Sequence, residues 1–212
     1  MSIFITFEGG EGCGKSTQAK ILYRRLDKLA IPVVLTCEPG GTTLGKKLGR
    51  WLKWADGIEI TPVTELLLFN AARSQSVTEI IQPSLKEGKV VISDRYADST
   101  TAYQGYGRGL DLKTVKEVNL AATHGRKPDL TVLMDIPPEV GLTRKQGQGR
   151  KTDRFEQTEL AFHQRIRAGF LSLAKEEPQR WLVVDATRPR EKIAGIIWGR
   201  VSALLAKEKE PS

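Results

Sequence analysis

At 212 residues the chain fits a single domain, long enough to bury most of its apolar surface without disulfide or metal staples. Hydrophobic residues make up 40% and charged residues 27%, which excludes a disordered or fibrous class, and no apolar stretch exceeds strand length, which argues against a membrane span. The net charge of +8 fits either nucleic acid or small phosphorylated ligands.

The first apolar run, Ile3–Phe7, reads as a buried strand and leads straight into Gly9-Gly10-Glu11-Gly12-Cys13-Gly14-Lys15-Ser16. A glycine, four residues, then Gly-Lys-Ser between a strand and a helix is the phosphate-loop pattern. Its glycines let successive backbone N–H groups turn toward phosphate oxygens, and a helix starting near Lys15 adds the positive end of its dipole. Lys15 is expected to reach the outer phosphates of a nucleoside triphosphate and the Ser16 hydroxyl to ligate Mg²⁺. The helix is marked by Ala19, Leu22, Leu26 and Leu29 at helical spacing.

A second strand is predicted over Pro32–Thr36, followed by Cys37-Glu38-Pro39-Gly40-Gly41-Thr42. The glycine pair allows close backbone approach, Thr42 can start a helix, and Glu38 is either a hydrogen-bond acceptor or a carboxylate near a metal; a plain Pro-Gly turn fits the same residues. The next helix, Pro62–Ser84, carries Leu66, Leu67, Val77 and Ile81 on one side. Phe69 and Arg73, four apart on another face, suit a flat base by stacking and an edge hydrogen bond; a core Phe with a solvated Arg is the alternative.

Strand three, Val90–Ser93, ends in Asp94-Arg95. A carboxylate there can hold Mg²⁺ directly or through water, and Arg95 can fork onto a phosphate; alternatively the two form a structural ion pair. A helix over Leu112–Thr123, a strand over Leu130–Asp135 and a helix over Glu139–Lys145 follow. The stretch from Arg144 to Arg154 is the most charged of the chain. Its glycines at 147 and 149 allow hinge motion, and Arg144, Arg150 and Arg154 could close over transferring phosphates as a lid at about 144–156. A helix over Gln157–Lys175, a strand over Trp181–Asp185 and a helix over Arg190–Ala206 complete the pattern. Asp185-Ala186-Thr187 could flank a nucleotide base, or Thr187 could cap the last helix.

Alternating strands and helices predict one α/β domain: a P-loop NTPase fold, with a five-stranded parallel sheet and helices on both faces. Ligands gather at the carboxyl ends of such strands, where these motifs fall. No zinc-ligand spacing or aromatic-rich basic strand accompanies the positive charge, so small phosphorylated molecules are the expected partners rather than nucleic acid. His124 and His163 lack metal-ligand spacing, and no role in chemistry is expected of either. Two cysteines, Cys13 and Cys37, are too few for a disulfide framework, and Met1 running into the first strand suggests no leader; a reducing cytoplasm is the expected setting.

Taken together, Phe7-Glu8-Gly9 through Thr17, Glu38-Pro39-Gly40-Gly41-Thr42, the Phe69–Arg73 pair, Asp94-Arg95-Tyr96 with Ser99 through Gly105, the basic stretch ending Asp153-Arg154-Phe155-Glu156, and Asp185-Ala186-Thr187 resemble the bacterial thymidylate kinase family. The likeness runs collinearly over nearly the whole chain. It implies phosphoryl transfer from ATP, held by Gly9 through Thr17, to dTMP, with Mg²⁺ as cofactor. On this likeness Phe69 stacks on thymine, Arg73 donates to its carbonyl, and Ser99 or Thr100 meets the base edge with Gln104 nearby. Tyr103 would fill the space of a ribose 2′-hydroxyl, Arg95 would hold the acceptor phosphate, and Asp94 and Glu11 would lie near the metal with Ser16. With no basic residue inside the loop before Lys15, the chain looks like the form whose catalytic arginine is in the lid. Cys37 stands where relatives often have arginine. The likeness also implies a homodimer. The rival readings are a deoxynucleoside kinase with Glu38 as base, which Arg95 as a second anion-binding group disfavours, and a nucleotide-dependent ATPase switch, which would need no second base pocket.

Overall fold

The computed structural model describes residues 2–54, 57–146 and 153–207. Five strands, β1 (Ile3–Glu8), β2 (Val33–Cys37), β3 (Val90–Asp94), β4 (Leu130–Asp135) and β5 (Trp181–Asp185), form one all-parallel sheet in the order β2-β3-β1-β4-β5. Each lies within a residue or so of its predicted span, because a strand covered on both faces is a continuous apolar run. The side chains of β1 divide by parity. Ile3, Ile5 and Phe7 pack with Leu22 and Leu26 of α1 (Lys15–Lys28) and with Ile193, Ile197 and Val201. Phe4 faces the other way, toward Val77, Ile81 and Tyr96. The sheet is thus covered on both faces.

Between β2 and β3 run α2 (Thr43–Trp54) and α3 (Pro62–Ser76). The latter continues through a π-helical turn, Val77–Ile81, into α4 (Gln82–Lys86). The helix predicted over Pro62–Ser84 is therefore present with one widened turn inside it. Leu67, expected on the apolar side, is 53% exposed, while Leu66 is buried. After β3, α5 (Ala97–Thr100) passes into a second π-helical segment, Thr101–Gly107, which no apolar period announced. Then come α6 (Leu112–Thr123), α7 (Pro138–Gln146) after β4, α8 (Leu160–Glu176), and α9 (Arg190–Lys207) after β5. Thr42 starts α2 as expected: its hydroxyl accepts from the Gly45 N–H at 2.9 Å.

Strand register brings the motifs to one edge. Phe7 of β1 and Cys37 of β2 both pair with Asp94 of β3. The residues that follow these strands, from Glu8, Glu38 and Arg95 onward, therefore emerge side by side.

Candidate active site

The loop between β1 and α1 turns at Gly12 (φ 67°) and Gly14 (φ 90°), backbone angles that favour glycine, and Gly14 starts α1. Lys15 is buried, and its Nζ donates to the carbonyls of Gly9 at 3.0 Å and Gly10 at 2.6 Å. The Ser16 hydroxyl donates to Asp94 Oδ2, so the two residues expected at a metal do meet. Both are hard oxygen donors of the kind Mg²⁺ takes.

Glu11 is held among cations. Its Oε1 accepts from Arg95 Nη2 at 2.7 Å and from the Tyr103 hydroxyl at 2.8 Å, and its Oε2 lies 3.4 Å from Lys145 Nζ. Burial alone would raise its pKa, but Arg95, Lys15 and Lys145, with the Tyr103 hydroxyl, hold it well below the usual carboxylate range. Glu11 is thus the counter-ion of three cations. Among the described residues, no three His, Cys, Asp or Glu side chains gather as a metal site.

Arg95 holds a left-handed backbone (φ 75°), uncommon for a side chain of this size. The conformation is bracketed by hydrogen bonds. Arg95 N–H donates to Phe7 O at 3.0 Å, Ser93 Oγ donates to Arg95 O at 2.7 Å, and the next N–H, that of Tyr96, donates to Glu8 Oε1 at 2.7 Å. Glu8 is fully buried, and its Oε2 accepts from the Ser99 hydroxyl, which itself accepts from Arg95 Nη1 at 3.1 Å. Burial, with Asp98 nearby, pushes the Glu8 carboxyl up to about 8 against the Ser99 and Tyr96 hydrogen bonds and the Arg95 charge. Such strain is stored where a side chain must be aimed, here at the cavity.

That cavity, of about 840 Å³, extends from the phosphate loop past Arg95 to Phe69, Arg73, Thr100 and Gln104. Ser99 and Tyr103 line it as well. Phe69 turns its ring to the space and is backed by Phe155, centroid to centroid 5.9 Å. Arg73 is only 2% exposed and is held by Glu38 (Nε–Oε2 2.8 Å), Asn70 (3.1 Å), Asn119 (3.0 Å) and the Tyr96 carbonyl (2.9 Å). Those bonds use four of its five N–H groups and leave one, on Nη2. Burial raises the Glu38 carboxyl to about 6 against the pull of Arg73. Glu38 is thus an acceptor for Arg73 and not part of the Ser16–Asp94 pair; its bond to Pro39 is cis.

The basic stretch divides. Arg144 Nη1 donates to the Ala186 carbonyl at 3.0 Å, and Arg154 donates to the buried Glu65 and to Leu52 O. Neither borders the cavity, and Arg150 lies outside the described residues. Lys145, one helical step from Arg144, faces inward to Glu11 and lines the cavity instead. Asp185 caps the turn after β5: its Oδ1 accepts from both the N–H and the hydroxyl of Thr187.

Comparison with known proteins decides among the readings. The thymidylate kinase family model matches residues 7–197. The chain belongs to the thymidylate kinase family. The thymidylate kinase of Dehalococcoides mccartyi strain CBDB1 is 54% identical over 99% of this chain and 100% of its own. That of Thermomicrobium roseum is 47% identical over 98% of both. The crystal structure of thymidylate kinase from Ehrlichia chaffeensis superposes with a TM-score of 0.75 at 33% identity, covering 96% of this chain and 98% of that one.

In this thymidylate kinase family member, Cys37 ends β2 with an exposed thiol at the cavity edge. Cations reach the same cavity from α2, through Lys46, Arg50 and Lys53. No motif marks them in the sequence, although the four- and three-residue spacing after Thr42 puts them on one helical face. Nor does the sequence show the roles of Glu8, Lys145 and Glu65, whose partners are remote in the chain.

Proposed function

We propose that this protein transfers the γ-phosphoryl group of ATP to the 5′-phosphate of dTMP, giving dTDP. The observation that carries the reading is one cavity lined by two cations that meet at the Gly9 carbonyl, Lys15 of the glycine loop and Arg95 from the end of β3, and also by Phe69 and Arg73. Gly9 through Thr17 would cradle the ATP phosphates, with Lys15 leaving the Gly9 and Gly10 carbonyls for phosphate oxygens. Ser16 and Asp94 would hold Mg²⁺, which neutralises charge on the donor phosphates when bound.

Arg95, aimed by its left-handed backbone, would grip the acceptor phosphate, with Arg50 and Lys46 contributing charge from α2. That phosphate has a second pKa near ~6 and is largely dianionic at neutral pH, so no strong general base is required. Alignment and neutralisation are the chemistry. Phe69 would stack on thymine, the remaining Arg73 N–H would donate to a ring carbonyl, and Ser99 or Thr100 would meet the base edge. Tyr103, fixed by Glu11 and Arg95, would close off the 2′ position. With Arg144 bonded to Ala186 and Arg154 to Glu65, Lys145 is the cation of this stretch that we assign to the phosphates.

A second copy of the chain is the proposed partner. Trp51 of α2, Val63 and Leu67 of α3 and Leu120 of α6 are each more than half exposed, on helices that pack together. A cytoplasmic setting accords with two free cysteines, and no described helix is long and apolar enough to cross a membrane. An acceptor panel at fixed ATP and Mg²⁺ tests the reading: dTMP should be phosphorylated and thymidine should not. Turnover of thymidine itself, or ATP hydrolysis indifferent to dTMP, would overturn it.

A further inference from the structure

Glu65 of α3 is fully buried, yet its carboxylate is surrounded by donors. Oε1 accepts from Gln104 Nε2 at 2.7 Å and Arg108 Nε at 3.2 Å; Oε2 accepts from Arg108 Nη2 at 3.2 Å and Arg154 Nη2 at 2.5 Å. Four bonds fill the four lone-pair positions a carboxylate offers. The two guanidinium groups are held in turn on aromatic faces, Arg108 over Phe162 at 4.6 Å and Arg154 over Phe155 at 4.8 Å. Phe155 is the ring that backs Phe69. The network therefore forms the rear of the base pocket, but Glu65 itself does not border the cavity.

Its consequence falls on Gln104. An amide has a donor end and an acceptor end, and either can face a ligand unless a fixed neighbour chooses. A carboxylate paired with two guanidiniums offers acceptors only, so the Gln104 nitrogen must point at Glu65. The amide oxygen is left for the cavity that Gln104 lines.

We propose that Glu65 is a specificity-determining positioning residue: by anchoring the Gln104 amide it presents an acceptor to the base and so selects a pyrimidine with a ring N–H over one with a ring nitrogen acceptor. This rests on the dTMP reading above. Thymine and uracil carry N3–H between two carbonyls; cytosine carries a bare N3 beside an amino group. An oxygen from Gln104 and the last N–H of Arg73 complement the first pattern and oppose the second at both positions.

The test compares dTMP with 5-methyl-dCMP, which differ only on that edge. Wild-type protein should favour dTMP in kcat/KM by at least about 10²-fold, since a site built to hydrogen-bond one edge leaves buried groups unpaired with the other. In Glu65→Gln the two guanidinium N–H groups at Oε2 outweigh the single one, from Arg108 Nε, at Oε1, so the oxygen stays at Oε2 and the new amide nitrogen faces Gln104 and turns its amide round. The dTMP preference should then fall at least about tenfold, through loss of dTMP activity without a matching loss for 5-methyl-dCMP. Gln104→Ala should remove the same part of the preference, and adding Glu65→Gln to it should change the ratio no further.

General damage to the pocket would lower both acceptors together, and that outcome overturns the assignment. So does an unchanged ratio in folded Glu65→Gln, with the dTMP kinase reading left standing. If Glu65→Gln does not fold, the wild type decides: equal use of the two acceptors overturns the assignment, and strong rejection of 5-methyl-dCMP, abolished in Gln104→Ala, supports it. A wild type inactive on dTMP overturns the assignment and the reading together.

Discussion

Gly12 of the phosphate loop and Gly141 of α7 meet backbone to backbone. A Cβ built on Gly12 would stand 1.9 Å from the Gly141 carbonyl oxygen, and one on Gly141 would stand 2.2 Å from the Glu11 carbonyl oxygen. The helix that carries Lys145 thus rests directly on the loop that carries Lys15. Gly141→Ala should push α7 outward and draw Lys145 off Glu11, costing about 1–3 kcal/mol of stability as an overpacked contact. A larger loss is expected in kcat/KM for ATP, at least about tenfold, since misplacement at this scale is expensive in catalysis. Thermal melts and steady-state kinetics on one preparation separate the two effects; normal ATP kinetics would remove α7 from the site.

Arg95→Ala removes the cation assigned to the acceptor phosphate. Turnover should fall on the order of 10²–10³-fold, as for other preorganised electrostatic groups. ATP affinity, measured by titration calorimetry, should change much less. Equal losses would count against an acceptor role.

Glu8 makes stability depend on pH in a defined direction. Burial raises its folded pKa from 4.5 to about 8, so its contribution is fully present below the unfolded value and is lost as pH rises through 8. Between pH 7 and 8.5 the wild type should lose roughly 1 kcal/mol, or about 2–4 °C in Tm, relative to Glu8→Gln. Burial lowers the pKa of His163, which would act below this window and with the opposite sign. Parallel Tm profiles for the two proteins would show that Glu8 is not the group responsible.

Asp94→Asn keeps the size of the side chain that accepts from Ser16 and removes its charge. The Mg²⁺ concentration needed for half-maximal activity should rise at least about tenfold, with the Tm measured without metal nearly unchanged. An unaltered Mg²⁺ requirement would take Asp94 out of the metal's surroundings.

Leu67→Glu places a charge on an exposed face of α3. Sedimentation velocity should shift from a dimer to a monomer while the far-UV spectrum is retained, because the side chain has little burial to lose within its own chain. A monomeric wild type would end the proposal of a second copy.

What could be read from the chain alone follows from how each feature is encoded. The strands are local apolar runs and were legible within a residue or so. Helix α2 was read only at its Thr42 start, although Leu44, Leu48 and Leu52 recur at helical spacing; two of its buried positions are Gly45 and Gly49, which pack on Pro39 and carry no apolar signal of their own. The phosphate loop and the Asp94-Arg95 pair are contiguous and could be read directly. The ion pairs of Glu11 could not be read locally, since its partners Arg95, Tyr103 and Lys145 are brought to it only by the fold. Arg154 likewise looked like a free lid cation until Glu65, far back in the chain, took it up.

Two of the cations proposed for the phosphates already have tenants: Lys15 holds two loop carbonyls and Arg95 holds Glu11 and Tyr103. Incoming oxygens must therefore evict as well as occupy. A small anion such as orthophosphate, reaching one of these groups at a time, gains little from the exchange. On the proposed reading a nucleotide displaces several partners in concert, so orthophosphate should compete with it only weakly.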